Sequence, residues 1–462
     1  MVKMTSNINL LLKKEKGYDK PNTTERKKIT DFCEGYKEFI GRAKTERVFI
    51  KDTVKLLEDN GFKKFDRGYE LKKGDKIYFE NRGRALIAAI IGEKSLSEGV
   101  NLVGAHVDSP RLDLKPVPLF ESEGQLYIKT HYYGGIKKYQ WPIIPLSMFG
   151  TCILKNGKSV DIVIGEDKDD PVFVITDILP HLGNAQYKKP VSEMIHPEQL
   201  NAIGATIPYD DADAKEKVKL NFLKILNKKY SITEEDLISS EITLVPNLSP
   251  KDAALDRSLV AAYGQDDRVC AYTGLMALIN SKKSNKTSML LLSDKEEVGS
   301  MGNTGMKSNF FEFTLEELCE KEGVKLRDAL TNTECLSADV CAAYDPNFPE
   351  VFEKNNSVFL NGGVALMKYS GSRGKSGTSD ASAEFVGKIR SIFDKANVKW
   401  QIGELGKTDE GGGGTIAQFV ANLGCEVIDC GVALLSMHSP YEVAAKYDIY
   451  MAYKAYKAFY EA

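Results

Sequence analysis

The sequence predicts an α/β fold: a mixed, mostly parallel sheet sandwiched by helices, with a β-rich domain inserted into it. Two observations carry that expectation. From about residue 243 onward, short apolar β-branched runs alternate with helix-length segments, the pattern of strands joined by covering helices. Between residues 113 and 245 the character changes to β-branched and aromatic runs punctuated by turns, such as QLYIKTHYYGG, WPIIPLSMFGTCILKNGKSVDIVIGED and DPVFVITDILPHLG. Residues 1–112 and 246–462 are therefore assigned to one discontinuous α/β domain, and 113–245 to the insertion.

Taken in order, TTERKKITDFCEGYKEFIGRA and TERVFIKDTVKLLEDNG read as helices, each opening with threonine near an acid, the second closing at Gly61. DKIYFENRG, RALIAAIIG and GVNLVGAHVDS read as strands, and the charged tract 213–228 within the insertion as a helix. Then EITLVP (strand), DRVCAYTGLMALINSKK (helix), TSMLLLSDK (strand) and TLEELCEKEGVKLRDALTN (helix) follow. ECLSADV is a strand, DASAEFVGKIRSIFDKA a helix, VKWQIGEL a strand and GTIAQFVANLG a helix. CEVIDCGVALLSMH is a strand region, and SPYEVAAKYDIYMAYKAYKAFYEA a last long helix.

Composition narrows the function. At 462 residues the core is ample, and a net charge of −3 gives no electrostatic footprint for nucleic acid. The densest basic clusters, LLKKEK and ERKK, alternate with acids, as solvated helix faces do. No run approaches the roughly 18 apolar residues of a membrane span. NINLLLKKEK has too short an apolar core for a signal peptide, so a cytoplasmic location is expected. The eight cysteines include no Cys-x-x-Cys pair and mostly sit in apolar runs, as free thiols in a reducing compartment do.

In α/β sheets, functional groups gather where strands end. The polar residues found there are His106 and Asp108 in NLVGAHVDSP, Asp266 and Asp267 in YGQDDRV, Glu296 and Glu297 in LLLSDKEEVG, Asp339 in CLSADV, and His438 in ALLSMHSP. Histidine and carboxylate suit zinc or a similar divalent ion. Two ions about 3.5–4 Å apart need a bridging carboxylate between them. His106, Asp266, Glu297, Asp339 and His438 are enough ligands for such a pair. Glu296 is left as a base for a metal-activated water, and Asp108 as a hydrogen-bond partner for the far nitrogen of His106. Each residue also has a plainer reading. Acidic pairs are common on surfaces, Asp266 and Asp267 could cap a helix, and a lone histidine more often belongs to a core than to a metal.

The segments GAHVDSPRLDLKP, GQDDR, DKEEVGS, SADV and MHSPYE, in that order, resemble the M18 family of metallo-aminopeptidases, the aspartyl-aminopeptidase-like group of the dinuclear zinc exopeptidases. The resemblance spans essentially the whole chain. It implies two divalent ions, zinc first, with cobalt or manganese accepting the same ligands. It makes His106 and Asp339 ligands of one ion, His438 and Glu297 ligands of the other, Asp266 the bridge, Glu296 the general base and Asp108 an orienting carboxylate. It implies peptide substrates with a free N-terminus and a closed homo-oligomer of twelve subunits, in which His181 of DILPHLGNAQ reaches an active site, that of a neighbouring subunit. His131 and His196 match no role. Two departures concern the pocket for the substrate's first side chain. Eukaryotic relatives carry a histidine where Ala342 stands, and a tyrosine near the position of Lys375. An acidic preference would then rest on Lys368 and Lys375.

Three rivals remain. A phosphate loop ending at Gly374-Lys375-Ser376 needs a glycine where Tyr369 stands, and fails. A non-catalytic shell protein would have lost the base or the bridge, and both are present. A carboxypeptidase or dipeptidase on the same scaffold needs an arginine for the C-terminal carboxylate, for which Arg268 or Arg373 could serve. Glycines 411–414 could bring backbone amides to a substrate, or simply permit close packing.

Overall fold

The computed structural model describes residues 10–12, 17–19, 21–211, 213–282 and 285–462; Lys13–Lys16 of the opening basic run lie outside them. A nine-stranded sheet forms the centre, in the order Lys63–Lys64, Lys76–Asn81, Ala85–Ile90, Thr287–Ser293, Val100–His106, Glu334–Ser337, Glu426–Gly431, Val364–Met367 and Trp400–Ile402. Five of its eight neighbouring pairs are parallel. The central strands are buried along their whole length, and their side chains alternate between two cores. Val103, Ala105, Leu290 and Leu292 join the core made with helices Thr23–Arg42, Glu46–Asp59, Gln265–Ile279, Ala383–Lys395 and Lys446–Tyr460. Val100, Leu102, Met289 and Leu291 join the opposite core, with Phe310–Glu322, Leu326–Thr331 and Ala417–Ala421. A sheet apolar on both faces requires that double cover.

A six-stranded antiparallel sheet is built wholly from Arg111–Ser122, Gln125–Tyr133, Leu146–Ile153, Ser159–Ile164, Ala202–Ala205 and Ser240–Pro246. It has its own core, to which the helix Lys217–Tyr230 adds Val218, Phe222 and Leu226. A third sheet joins Lys251–Ala253, Leu259–Ala262, Glu442–Ala445, Ala433–Leu435 and Cys341–Ala342.

Several elements differ from expectation, for local reasons. EITLVP does not begin the second α/β stretch; it pairs with Arg111–Ser122 and Leu146–Ile153 in the antiparallel sheet. TLEELCEKEGVKLRDALTN is two helices, because the chain turns at Gly323 with φ 70°. The strand in ECLSADV stops at Ser337, which leaves Asp339 beyond its end. CEVIDCGVALLSMH divides between two sheets, and the last helix begins only at Lys446, after the strand Glu442–Ala445. All eight cysteines are buried and unpaired. Among the described residues no helix is long and apolar enough to cross a membrane.

Candidate metal centre

The parallel strands Val100–His106 and Thr287–Ser293 end in register, Ser293 opposite His106, at one edge of the central sheet. His106 is therefore the last, buried residue of its strand. Past Ser293 the chain turns sharply. Lys295 takes a left-handed φ of 66°, Glu296–Val298 make one 3-10 turn, and Gly299 follows at φ 91°. The Glu296 and Glu297 backbone N–H groups donate to Asp108 Oδ1 and Oδ2 at 3.1 and 3.2 Å, which fixes this turn beside His106. Asp266 and Asp267 stand at the entry of Gln265–Ile279, Asp339 just past Ser337, and His438 in the loop between Ala433–Leu435 and Glu442–Ala445.

These elements bring five side chains to one point. Asp266 Oδ1 lies 3.2 Å from His106 Nε2, and Asp266 Oδ2 lies 3.1 Å from His438 Nε2. Asp339 Oδ1 is 4.0 Å from His106 Nε2, and Glu297 Oε2 is 3.5 Å from His438 Nε2. Each half thus has an imidazole and a carboxylate, and one carboxylate faces both halves. Asp267 also falls within ligand distance of His106 and Asp339, but its Oδ2 accepts the His106 backbone N–H at 3.3 Å. Asp266 is the acid with both oxygens turned to the imidazoles. Asp108 meets His106 Nδ1 as expected, through its carboxylate at 3.3 Å and its own carbonyl at 3.1 Å.

The donor set is rich in acids and has only the two imidazoles to offset them. Asp108, Asp266, Asp267, Glu296, Glu297, Asp339 and Glu442 crowd around two imidazoles. Burial, reinforced by neighbouring carboxylates, pushes Glu297 and Asp339 well above the usual carboxyl range. Burial likewise holds Glu296 up at about 7. Against the opposing effect of burial, Asp266 and Glu297 carry His438 up to about 10. Among the described residues, Glu297 Oε1 and Asp267 Oδ1 are buried without a hydrogen-bond partner. Acids driven toward protonation and orphaned oxygens are what divalent cations would relieve, and the residues fit such ions.

Sequence reasoning missed Glu442, which ties the halves together. Its Oε1 accepts from the His438 backbone N–H at 2.8 Å, and its Oε2 from that of Asp266 at 3.1 Å. It sits in the quoted MHSPYE segment, four residues past His438, but was read as helix. Arg268 is unavailable for a substrate carboxylate, since it is buried and donates to the carbonyls of Gly264, Ala43 and Tyr263. Arg373 is exposed. His181 lies on the exposed turn Pro180–Leu182 and takes no part in the hydrogen bonds and ion pairs described for this cluster; His131 and His196 are exposed too. Lys368 is exposed, and Lys375 pairs with Asp380 at 2.7 Å while lying 3.8 Å over the Tyr369 ring. Gly412, at φ 118°, has no room for a side chain: a Cβ would strike the backbone of Gly371 and Ser372. That favours close packing between the two glycine-rich loops.

The family described as Aminopeptidase I zinc metalloprotease (M18) matches residues 39–460. A probable M18 family aminopeptidase 1 from Clostridium acetobutylicum is 48% identical over 460 residues, 98% of this chain and 99% of that protein. The crystal structure of an M18 family aminopeptidase from Thermotoga maritima is similar with a TM-score of 0.94 at 44% identity, covering 98% of this chain and 100% of that one. The S. cerevisiae mApe1 dodecamer, at 24% identity and a TM-score of 0.76, covers 93% of this chain and 96% of its own and shares the fold.

Proposed function

Since the chain belongs to the M18 family of zinc metalloproteases and is a metal-dependent aminopeptidase, we propose that it removes N-terminal residues using two divalent ions. His106 and Asp339 would hold one, His438 and Glu297 the other, and Asp266 would serve both. The observation that carries this reading is the placement of the two Asp266 oxygens, each about 3 Å from a different imidazole. Zinc is the first choice of metal, with cobalt and manganese able to use the same ligands.

Bound there, the ions supply Lewis acidity for the scissile carbonyl and for a water near neutral pH. The rest falls to the chain. Glu296 is half-buried and stands beside the ligands without being spent on them, the position of a group that must take a proton and return it. It accepts the proton of the attacking water and delivers it to the leaving amine nitrogen. Asp108 keeps the His106 ring turned so that Nε2 faces Asp266. Glu442 holds the backbone of Asp266 and His438 at a fixed separation.

Acidic N-termini, if favoured, are attracted by Lys368 and, less, by Lys375, whose charge Asp380 already meets. Self-association through the inserted domain is part of the same reading. The relative solved as a dodecamer and the exposed apolar side chains Ile178, Leu182 and Val191 support it, and His181 lies in that same exposed stretch. Light scattering should give a mass many times that of one chain, and a monomer at micromolar concentration would end this part of the reading. The decisive assay compares a free-amine peptide with its N-acetylated twin. Only the free amine should be cleaved, whereas equal cleavage would move the chain to the carboxypeptidase or endopeptidase side.

A further inference from the structure

The inserted domain reaches the cluster through three consecutive residues at the end of its strand Gln125–Tyr133. The Tyr133 hydroxyl donates to Asp108 Oδ2 at 2.8 Å. The Gly135 carbonyl accepts from His438 Nδ1 at 2.9 Å. Between them Gly134, at φ 74°, lies so close to Glu297 that a Cβ there would come within 3.1 Å of Oε2 and 3.2 Å of Cβ. One short segment thus touches both halves of the centre.

We propose that Tyr133–Gly135 is a positioning segment for the metal ligands, so that metal affinity and turnover depend on how the inserted domain is seated. The inference rests on the ligand assignment proposed above. Four groups converge on the Asp108 carboxylate. Oδ1 meets His106 Nδ1 and the Glu296 N–H, while Oδ2 meets the Glu297 N–H and the Tyr133 hydroxyl. Asp108 therefore sets one ligand ring and the turn that carries a second ligand and the base. Tyr133 makes the shortest of the four contacts, and a hydrogen bond to a buried carboxylate is among the stronger kinds.

The tyrosine is itself held in place. Arg111, its cross-strand partner, lays its guanidinium 3.9 Å from the ring centroid. Arg111 is fixed in turn by Glu46 at 3.1 Å and Asp113 at 2.8 Å. On the other half, a proton on His438 Nδ1 given to the Gly135 carbonyl leaves Nε2 as the nitrogen facing Asp266 and Glu297. A carbonyl in that role selects one tautomer, and its position follows the inserted domain.

Tyr133→Phe tests this, because it keeps the ring under Arg111 and removes only the hydroxyl. Metal-free wild type and variant are titrated with zinc against a chromophoric chelator, and kcat and KM are measured at saturating zinc. The zinc concentration for half occupancy should rise about 3- to 10-fold, less than the roughly 10- to 100-fold cost of removing a ligand's own partner, because Tyr133 acts through Asp108. At saturating zinc, kcat should fall while KM stays near the wild-type value, and the cobalt-loaded variant should show an altered visible spectrum. Zinc affinity, kcat and cobalt spectrum all matching wild type would overturn the proposal, and so would a loss of thermal stability alone. Gly134→Ala, which must displace Glu297, should weaken zinc binding at one of the two sites; two sites of wild-type affinity would count equally against it. Wild-type protein that takes up no zinc would instead refute the ligand assignment on which the proposal stands.

Discussion

The two halves of the centre are built differently. His106 ends a central strand, its side chain is 2% exposed, and a carboxylate holds its outer nitrogen. His438 lies on the loop between the paired strands Ala433–Leu435 and Glu442–Ala445 of the third sheet, its side chain is 37% exposed, and the Gly135 backbone carbonyl holds its outer nitrogen. The inner half is fixed by the register of the central sheet, Ser293 opposite His106. The outer half is assembled from a loop of the third sheet and from Gly134–Gly135, just past a strand of the antiparallel sheet, and it is the more exposed of the two. Asp266 and Glu442 belong to both.

The largest effect should come from removing what the halves share. Asp266→Ala should strip both ions and take activity to background; metal analysis that still found two tightly held ions per chain would transfer the bridge to Asp267. Glu296→Gln comes next. It should keep both ions and lower kcat roughly 10²- to 10⁴-fold, as loss of a general base does, and metal loss would reverse the roles of the two glutamates. The halves themselves separate in the histidine variants. His438→Ala should cost mainly one ion and lower the melting temperature only modestly, whereas His106→Ala, in the buried half, should lower both metal content and melting temperature, the latter by more.

A pH series sharpens the comparison without mutation. Burial holds Glu442 and Asp448 up at about 8 and Asp429 at about 6, above their ordinary values of 4.5, 3.8 and 3.8. The native state keeps protons that the unfolded chain has shed. Their stabilisation is full below the unfolded values and is lost as pH rises through about 6 to 8. His438, raised from 6.5 to about 10, works in the same direction at higher pH. Metal-free protein should therefore melt lower at pH 8 than at pH 5, and zinc should raise the melting temperature more at pH 8, where its ligands deprotonate more readily. A metal-free melting temperature that climbs over this range would contradict the burial of these acids.

The smallest effects are expected at Lys368 and Lys375. Wild type should favour Asp or Glu over Leu by about one to two powers of ten in kcat/KM, and added salt should reduce the preference. Lys368→Ala should lower the ratio most, and Lys375→Ala less, because Asp380 already neutralises it at 2.7 Å. A wild type that prefers Leu, or a ratio unmoved by both variants, would remove lysine from the pocket.

What was legible in the sequence was what local pattern encodes. The apolar runs ending at His106 and Ser293 were plain, and acids or histidines directly after such runs gave the residues that the structure gathers around Asp266. What escaped depended on distant pairing. Ser240–Pro246 carries the same β-branched signal whichever sheet accepts it, and its ladders with Leu146–Ile153 and Arg111–Ser122 decide. Glu442 looked helical because the apolar EVAA run continues into the helix, whereas pairing with Leu259–Ala262 makes it a strand. Arg268 resembled a substrate-binding cation because a sequence does not show three carbonyls waiting for it. Tyr133 and Gly135 carry no motif of their own, and their importance lies in what stands opposite them.

The burial of every cysteine turns the thiols into internal clocks. Burial pushes the Cys33, Cys341 and Cys425 thiols up to about 12, so at neutral pH they have neither exposure nor thiolate with which to meet an alkylating reagent. Labelling then counts openings of the chain. Cys152 sits in the core of the antiparallel sheet, and Cys33, Cys270 and Cys430 in that of the central one. A mass spectrum taken during slow alkylation would time the loosening of the two cores separately, without any substitution.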